Sequence, residues 1–451
     1  MENGGPFTYT QDQLRVFAAE VLSHARRLGA SACECDVSEG QGLSVTVRKG
    51  AVETIEHNRD KGIGVSVTLG ERPRVRRGHA STSDFSAAAL EQTVAAALAI
   101  ARHTAADDCA GLPEPGLLAR EQPDLDLYHP WRLDTEQAIG VARRCEAAAF
   151  ALSPKIRNSE GASVSAQHSQ FAFANSLGFV GGFPASRHSL YLSVIAEDAR
   201  GMQRDDWYSA VRVPGQLAAP EPLGRYAGER ALARLGARRL GTRQAPVLFE
   251  APQAAMLLGS FVSAASGGNL YRKATFLVDS LGKQVFAPGV TLEERPLEPR
   301  ALASSPFDEE GVATRARTVV RGGVLEGYFL GCYSARKLGL QSTGSAGGNH
   351  NLVLVSNGPD FRGMLKRLHR GLLVTELLGQ GVNLITGDYS RGAAGYWVEN
   401  GEIAYPVEEV TIAGNLKDMF RGIEAVGSDI VVRGSRRCGS ILVREMTIAG
   451  E

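Results

Sequence analysis

The apolar positions of the chain change period several times, and each change marks an expected element. From Thr10 to about Leu28 they follow helical spacing, entered through TQDQ. The stretch GLSVTVRKGAVETIEHNRDKGIGVSVTLG then alternates, with Lys49-Gly50 between two alternating runs predicting a hairpin turn and glycines punctuating the rest of a meander. A second helix is expected from the cap in STSDFSAAALEQ to about His103. After a loop rich in Pro and acids, the pattern repeats. A helix from about Thr135 to Ala151 leads into NSEGASVSAQHSQFAFANSLGFVGGF, then SLYLSVIAED, then a helix from about Leu223 to Leu235. Ser-Glu-Gly opens both meanders, at Ser38 to Gly40 and at Ser159 to Gly161. Residues 8–237 therefore read as an internally duplicated α+β domain with halves at about 8–108 and 130–237.

A different region, 245–450, follows GTRQAP. It opens with the strand VLFE and continues into APQAAMLLGSFVSAASGGN. Here Ala254, Leu257, Leu258, Phe261, Val262 and Ala265 keep the spacing of one helical face. Pro252 suits the first turn, and Gly267 and Gly268 supply a left-handed stop. Gly322-Gly323 and Asn400-Gly401 are hairpin signals, a short helix is expected from about Asn415 to Ile423, and SILVREMTIAG reads as a final strand. The expected fold is α+β, the second domain being mostly β and barrel-like with embedded helices.

Composition narrows the partners. The 451 residues carry 49 Lys plus Arg against 49 Asp plus Glu, and this balance argues against nucleic acid as the main partner. The start, MENGGPFTYTQDQ, has no signal-peptide pattern, and the most apolar run, Val94 to Ala101, falls far short of a membrane span. Six scattered cysteines suit reduced thiols and a cytoplasmic chain, and Cys33 and Cys35, at i and i+2, face one side of a strand.

Candidate chemistry is sparse. The dipeptide His-Glu is absent and the nine histidines lie far apart, the nearest pairs being His168/His188 and His350/His369, so no zinc motif is present. In YSARK, Ser334 and Lys337 have the spacing of a serine acyl-enzyme and Tyr333 and Lys337 that of a dehydrogenase pair. Neither has its supporting motifs, and an exposed polar helix face is the plainer reading. The loop TGSAGGNHN, Thr343 to Asn351, could cradle an anion or simply pack closely. In GDYSRGAAGYW, Asp388, Tyr389, Ser390 and Arg391 cluster at the mouth of the Asn400-Gly401 hairpin. With Trp397 they are candidate peptide or partner contacts, weighed against a solvated turn with an internal Asp/Arg pair.

Longer stretches carry a resemblance. LDLYHPW, NSEGASVSAQHSQFAFANSLGFVGG, SGGNLYRKATFLVDSLGKQVF, GLLVTELLGQGVNLITGDYSRGAAGYWVENGEIAYPVEEVTIAGNLKDMF and the ending MTIAG together resemble the TldD/PmbA metallopeptidase family, once labelled modulators of DNA gyrase, over about Ala32 to Gly450. The resemblance implies a cytoplasmic heterodimer in which a TldD-type partner holds zinc through H-E-x-x-x-H and a C-terminal cysteine. That pair would trim leader segments of peptide antibiotics and digest unfolded peptides. Aligned on Arg272-Lys273, the two zinc imidazoles of such a partner map to Gly259 and Ala264 and the catalytic Glu to Ser260. Cys438 is placed near the cysteine ligand, and one thiolate without imidazoles does not retain zinc tightly. The resemblance thus implies a non-catalytic subunit that binds no cofactor itself. The rival expectation is a homodimeric binding or regulatory protein without peptidase activity.

Overall fold

A computed structural model describes residues 7–450. The first unit runs α1 (Gln11–Arg27), β1 (Ala32–Arg48), β2 (Ala51–Leu69), β3 (Arg76–Thr82), α2 (Ala87–His103), and then α3 (Thr135–Phe150), β4 (Ile156–Asn175), β5 (Val180–Gly181), β6 (Pro184–Asp198), β7 (Gly201–Val211) and α4 (Pro220–Ala233). Helix α1 starts where its capping box sits: the Thr10 hydroxyl accepts the Gln13 N–H while the Gln13 side chain accepts the Thr10 N–H. One sheet of order β3-β2-β1-β4-β6-β7 holds both halves, with β1 and β4 antiparallel at its centre. Alternation along β1 puts Cys33, Cys35, Val37, Leu43, Val45 and Val47 on one buried face. Helices α1 and α2 cover one half of that face and α3 and α4 the other.

Two expectations change here. The first meander is two long strands rather than several short ones, because Gly40, Gly42, Gly62 and Gly64 lie inside the β1–β2 ladder instead of punctuating it. At Gly42 an added methyl would lie 1.9 Å from the end of the Gln167 side chain, so this glycine sits under a cross-strand neighbour and not in a turn. The two Ser-Glu-Gly tripeptides are also unlike. Ser38 to Gly40 sits in regular pairing, whereas Ser159 to Gly161 forms a bulge with Gly161 at φ 110°. The internal duplication is carried by strand order, not by these residues.

The second unit begins with β8 (Arg243–Phe249), α5 (Ala251–Ala264), α6 (Gly267–Tyr271), β9 (Leu292–Glu294), β10 (Arg317–Arg321), β11 (Val324–Leu325), α7 (Cys332–Lys337) and β12 (Leu352–Leu354). It ends with α8 (Phe361–Leu368), β13 (Gly371–Leu378), β14 (Asp388–Glu399), β15 (Glu402–Asn415), α9 (Leu416–Arg421), β16 (Ile423–Val426), β17 (Val431–Arg433), β18 (Arg436–Cys438) and β19 (Ile441–Ala449). Strands β15, β14, β13, β8 and β19 pair in that order, and a further β15–β19 pairing closes them into a five-stranded barrel. Side chains alternate across β8: Val247 and Phe249 pack with α5, and Leu248 packs with α8. A smaller sheet, β11-β10-β9-β12-β18-β17, lies beside it.

Candidate functional site: the cleft along helix α5

Helix α5 is amphipathic by size more than by charge. Ala254, Leu257, Leu258 and Phe261 are buried, and the Phe261 ring meets Phe286 edge-on at 4.9 Å between centroids. The helix ends at Ala265, in a right-handed conformation, so the expected left-handed glycine stop is absent. Gly267 instead opens α6, where an added methyl would lie 2.1 Å from the Ser334 hydroxyl; close approach to α7 is what requires it.

The other face of α5, at Gln253 and Met256, borders a cleft of ≈570 Å³ between the two units. Its walls are β7 (Arg204 to Tyr208), α4 (Arg230, Arg234), β13 (Thr375 to Leu378) and the β17–β18 turn (Arg433, Arg436). On one wall every arginine is paired. Arg230 donates to both Glu250 oxygens at 2.7 and 3.1 Å and to Asp205 at 3.0 Å, and its guanidinium lies 5.1 Å from the Trp207 ring centroid. Burial alone would pull the Arg230 pKa down, but Glu250 and Asp205 together push it up. Arg204 and Arg234 share Glu376 at 3.2 and 2.5 Å. Bidentate buried pairs of this kind fix geometry across a junction.

The three other lining arginines form no ion pair. Arg187, Arg433 and Arg436 have no carboxylate partner within 4.0 Å among the described residues; Arg433 stacks over Tyr208 at 4.0 Å. Three lining atoms are buried without a hydrogen-bond partner among the described residues: Gln253 Oε1, Thr375 Oγ1 and Arg436 Nε. Thr375 is the extra residue of a bulge in β13, held by Gln253 Nε2 donating to its carbonyl at 2.8 Å. A bulge beside a cleft re-aims one side chain. Arg436 approaches α5 at Gly259, where an added methyl would stand 3.0 Å from its Nη1.

A second cavity, of ≈550 Å³, lies between the uncovered face of the first sheet and the second unit. Phe171, Phe173, Phe183 and Phe307 line it with Glu34, Asp36, Asp308 and Glu309. Asp308 Oδ1 accepts N–H groups from Glu310 and Val312 at 2.9 and 3.0 Å, and Oδ2 accepts from Ala346 at 3.0 Å. Burial raises its carboxyl to about 6 despite these donors. Ala346 belongs to the Thr343 to Asn351 loop, and His350 N–H donates to Glu294 at 2.7 Å. That loop does cradle anions, and they are the chain's own carboxylates.

Comparison with known proteins then decides the family. Models of the PmbA/TldA metallopeptidase match end to end: domain 1 at residues 33–101, the central domain at 128–235 and the C-terminal domain at 242–450. This chain belongs to the PmbA/TldD metallopeptidase family. It is 48% identical over 440 residues to metalloprotease PmbA of Escherichia coli O157:H7, covering 97% of each chain. A Thermotoga maritima protein described as a candidate modulator of DNA gyrase superposes with TM-score 0.87 at 27% identity, over 96% of this chain and 100% of its own. TldE of Thermococcus kodakarensis shares the fold, with TM-score 0.82 at 19% identity over 96% of this chain and 100% of its own.

The family's zinc does not fit the residues present. Gly259 offers no ligand atom, Ser260 is no carboxylate, and Ala264 is fully buried in the core around α5. Cys438 packs under the start of α5, its thiol 3.6 Å from the Ala251 carbonyl, and burial pushes it up to about 12, far from thiolate. A guanidinium beside Gly259 would also repel a cation. The metal-like grouping among the described residues lies elsewhere, at Asp107, Asp108 and Cys109, and Lys337 already neutralises both aspartates at 3.0 and 3.1 Å.

The other candidates of the PmbA/TldD chain are placed as follows. Asp388 to Arg391 sit at the far end of the β14–β15 ladder from the Asn400-Gly401 turn, since Asp388 pairs with Asn415 and Glu399 with Glu402. Tyr389 and Trp397 are each 2% exposed and face the barrel core, so neither offers a contact surface on this chain. Asp388 and Ser390 are exposed; Asp388 accepts from Thr386 and Asn415, and Arg391 donates to the Gly379 carbonyl, so the internal Asp/Arg pair does not form. In α7, Ser334 donates to the Gly331 carbonyl and Lys337 is held protonated by Asp107 and Asp108, which removes it as a base. His168 and His188 meet edge-on at 5.5 Å between ring centroids, and burial lowers His168 to about 4, keeping it neutral. Among the described residues no helix is long and apolar enough to cross a membrane. Sequence reasoning missed Arg436, Thr375 and Gln253; the one local signal was a glycine, Gly259, inside a helix.

Proposed function

We propose that this chain is the non-catalytic subunit of a two-chain zinc metallopeptidase, paired with a TldD-type chain that holds the zinc. One observation carries the reading: at the position that the family resemblance gives to the first zinc imidazole, Gly259 presents no ligand and faces the Arg436 guanidinium. The scaffold is complete while the metal chemistry is missing. The substrates proposed are unfolded or extended peptides, including leader segments of peptide antibiotics. Strand β7 supports this, because it is an edge strand paired only with β6 and its residues 204–208 line the cleft. An extended peptide can add to such an edge. The proposed compartment is the cytoplasm, in keeping with six free cysteines that are all buried.

The test is to purify the chain alone and after co-expression with a TldD-type partner, then measure size, zinc by elemental analysis, and peptide cleavage. We expect a mixed complex that holds zinc and cleaves, and a lone chain that does neither. Stoichiometric zinc with cleavage in the lone chain would overturn the reading. A stable homodimer that refuses the partner would favour the regulatory alternative.

A further inference from the structure

We propose that the cleft along α5 captures the C-terminal carboxylate of an extended peptide, with Arg436 as its charge partner. The cleft is lined by six arginines and three acidic residues, and the acids Asp205 and Glu376 are already engaged by Arg204, Arg230 and Arg234. The third acid, Asp206, lies near enough to act on Arg433, so the positive excess rests with Arg187 and Arg436. A guanidinium fork matches a carboxylate through two parallel N–H···O bonds, and Arg436 has its donors free of any partner among the described residues.

The neighbouring orphan atoms say what adjoins the carboxylate. With Gln253 Nε2 committed to the Thr375 carbonyl, its Oε1 is left as a buried acceptor without a donor. Phosphate or sulfate offers such an atom no N–H, whereas the amide of a terminal residue does. Thr375, 6% exposed, adds a hydroxyl that can bond to either group. An occupant that bonds to these atoms removes the penalty of leaving them unsatisfied. Met256 and Leu377 give the last side chain an apolar rest, and the β7 edge runs alongside for the preceding backbone.

This deepens the subunit reading and rests on it only in taking the ligand to be a peptide. The test reads binding on the lone chain by calorimetry, without zinc or cleavage, so either idea can fail without the other. The probes are an acetylated apolar pentapeptide with a free C-terminus, the same peptide as its amide, and that amide with one internal Glu. The expected result is that the free acid binds at least tenfold tighter than either amide. Arg436→Gln should abolish the difference, Arg436→Lys should restore part of it, and Thr375→Val should weaken the acid severalfold. Equal binding of acid and amide, no binding of either at millimolar concentration, or an unchanged contrast in Arg436→Gln would overturn the proposal. If the Glu-bearing amide matched the free acid, the assignment to a chain terminus would fall. Should Arg436→Gln not fold by circular dichroism, the acid-to-amide contrast in the unaltered chain and in Thr375→Val decides.

Discussion

Two cavities of nearly equal volume, ≈550 and ≈570 Å³, open between the same two units and treat their polar groups in opposite ways. In the phenylalanine-lined cavity the buried acid Asp308 is met by three backbone N–H groups, so its charge is answered from within the chain. In the α5 cleft, half the arginines are matched by carboxylates and the rest are not, and Gln253 and Thr375 keep buried atoms without partners. Size and apolar lining do not separate these cavities. Unanswered polarity does, because a folded chain leaves few buried groups unpaired unless something else completes them.

The sharpest way to break this contrast is to open the paired wall of the α5 cleft. Arg230→Ala leaves Glu250 buried without its cation and Asp205 with Arg234 alone, and is expected to cost about 3–5 kcal/mol in urea unfolding. A cost near zero would mean that the paired and unpaired arginines are alike. Next in size is a pH effect at Asp308. Its pKa is higher folded, about 6, than the ordinary 3.8, so the folded state binds the extra proton. Its contribution therefore favours folding below about pH 4 and fades as pH rises through 6, by up to about 3 kcal/mol. Urea midpoints between pH 4 and 7 should show this slope in the unaltered chain and lose it in Asp308→Asn. Smaller still, Arg436→Gln removes a side chain with no partner and should change stability by less than about 1 kcal/mol. Smallest is Gly259→Ala. The helix gains about 1 kcal/mol of propensity while Arg436 must yield a few tenths of an ångström, for a net thermal-melting change of about 0.5 kcal/mol or less.

What could be read from the residues was local or period-based. The N-cap at Thr10 sets the first helix within a residue of expectation, Ser86 caps α2 inside the expected stretch STSDFSAAALEQ, and Lys49-Gly50 and Asn400-Gly401 adopt positive φ in their hairpin turns. Glycine was the unreliable sign, because a bend, a close approach and a bulge all select it; Gly267, Gly42 and Gly161 show one of the latter two each. The Asp388 to Arg391 cluster was legible as residues but not as a place, since a long strand moved it to the opposite end of its ladder. Arg436 and Thr375 were invisible in the chain: the first acts through a helix far away in sequence, and the second through a bulge that only pairing reveals.

The barrel closure has a consequence for the order of folding. Strand β8 has one neighbour in β13 and the other in β19, and β19 also pairs with β15. The first sheet can assemble from hairpins such as β1–β2, but β8 and α5 stay half-covered until β19 is available. During synthesis the apolar face of α5 would therefore wait for its last covering strand while the first sheet is already paired.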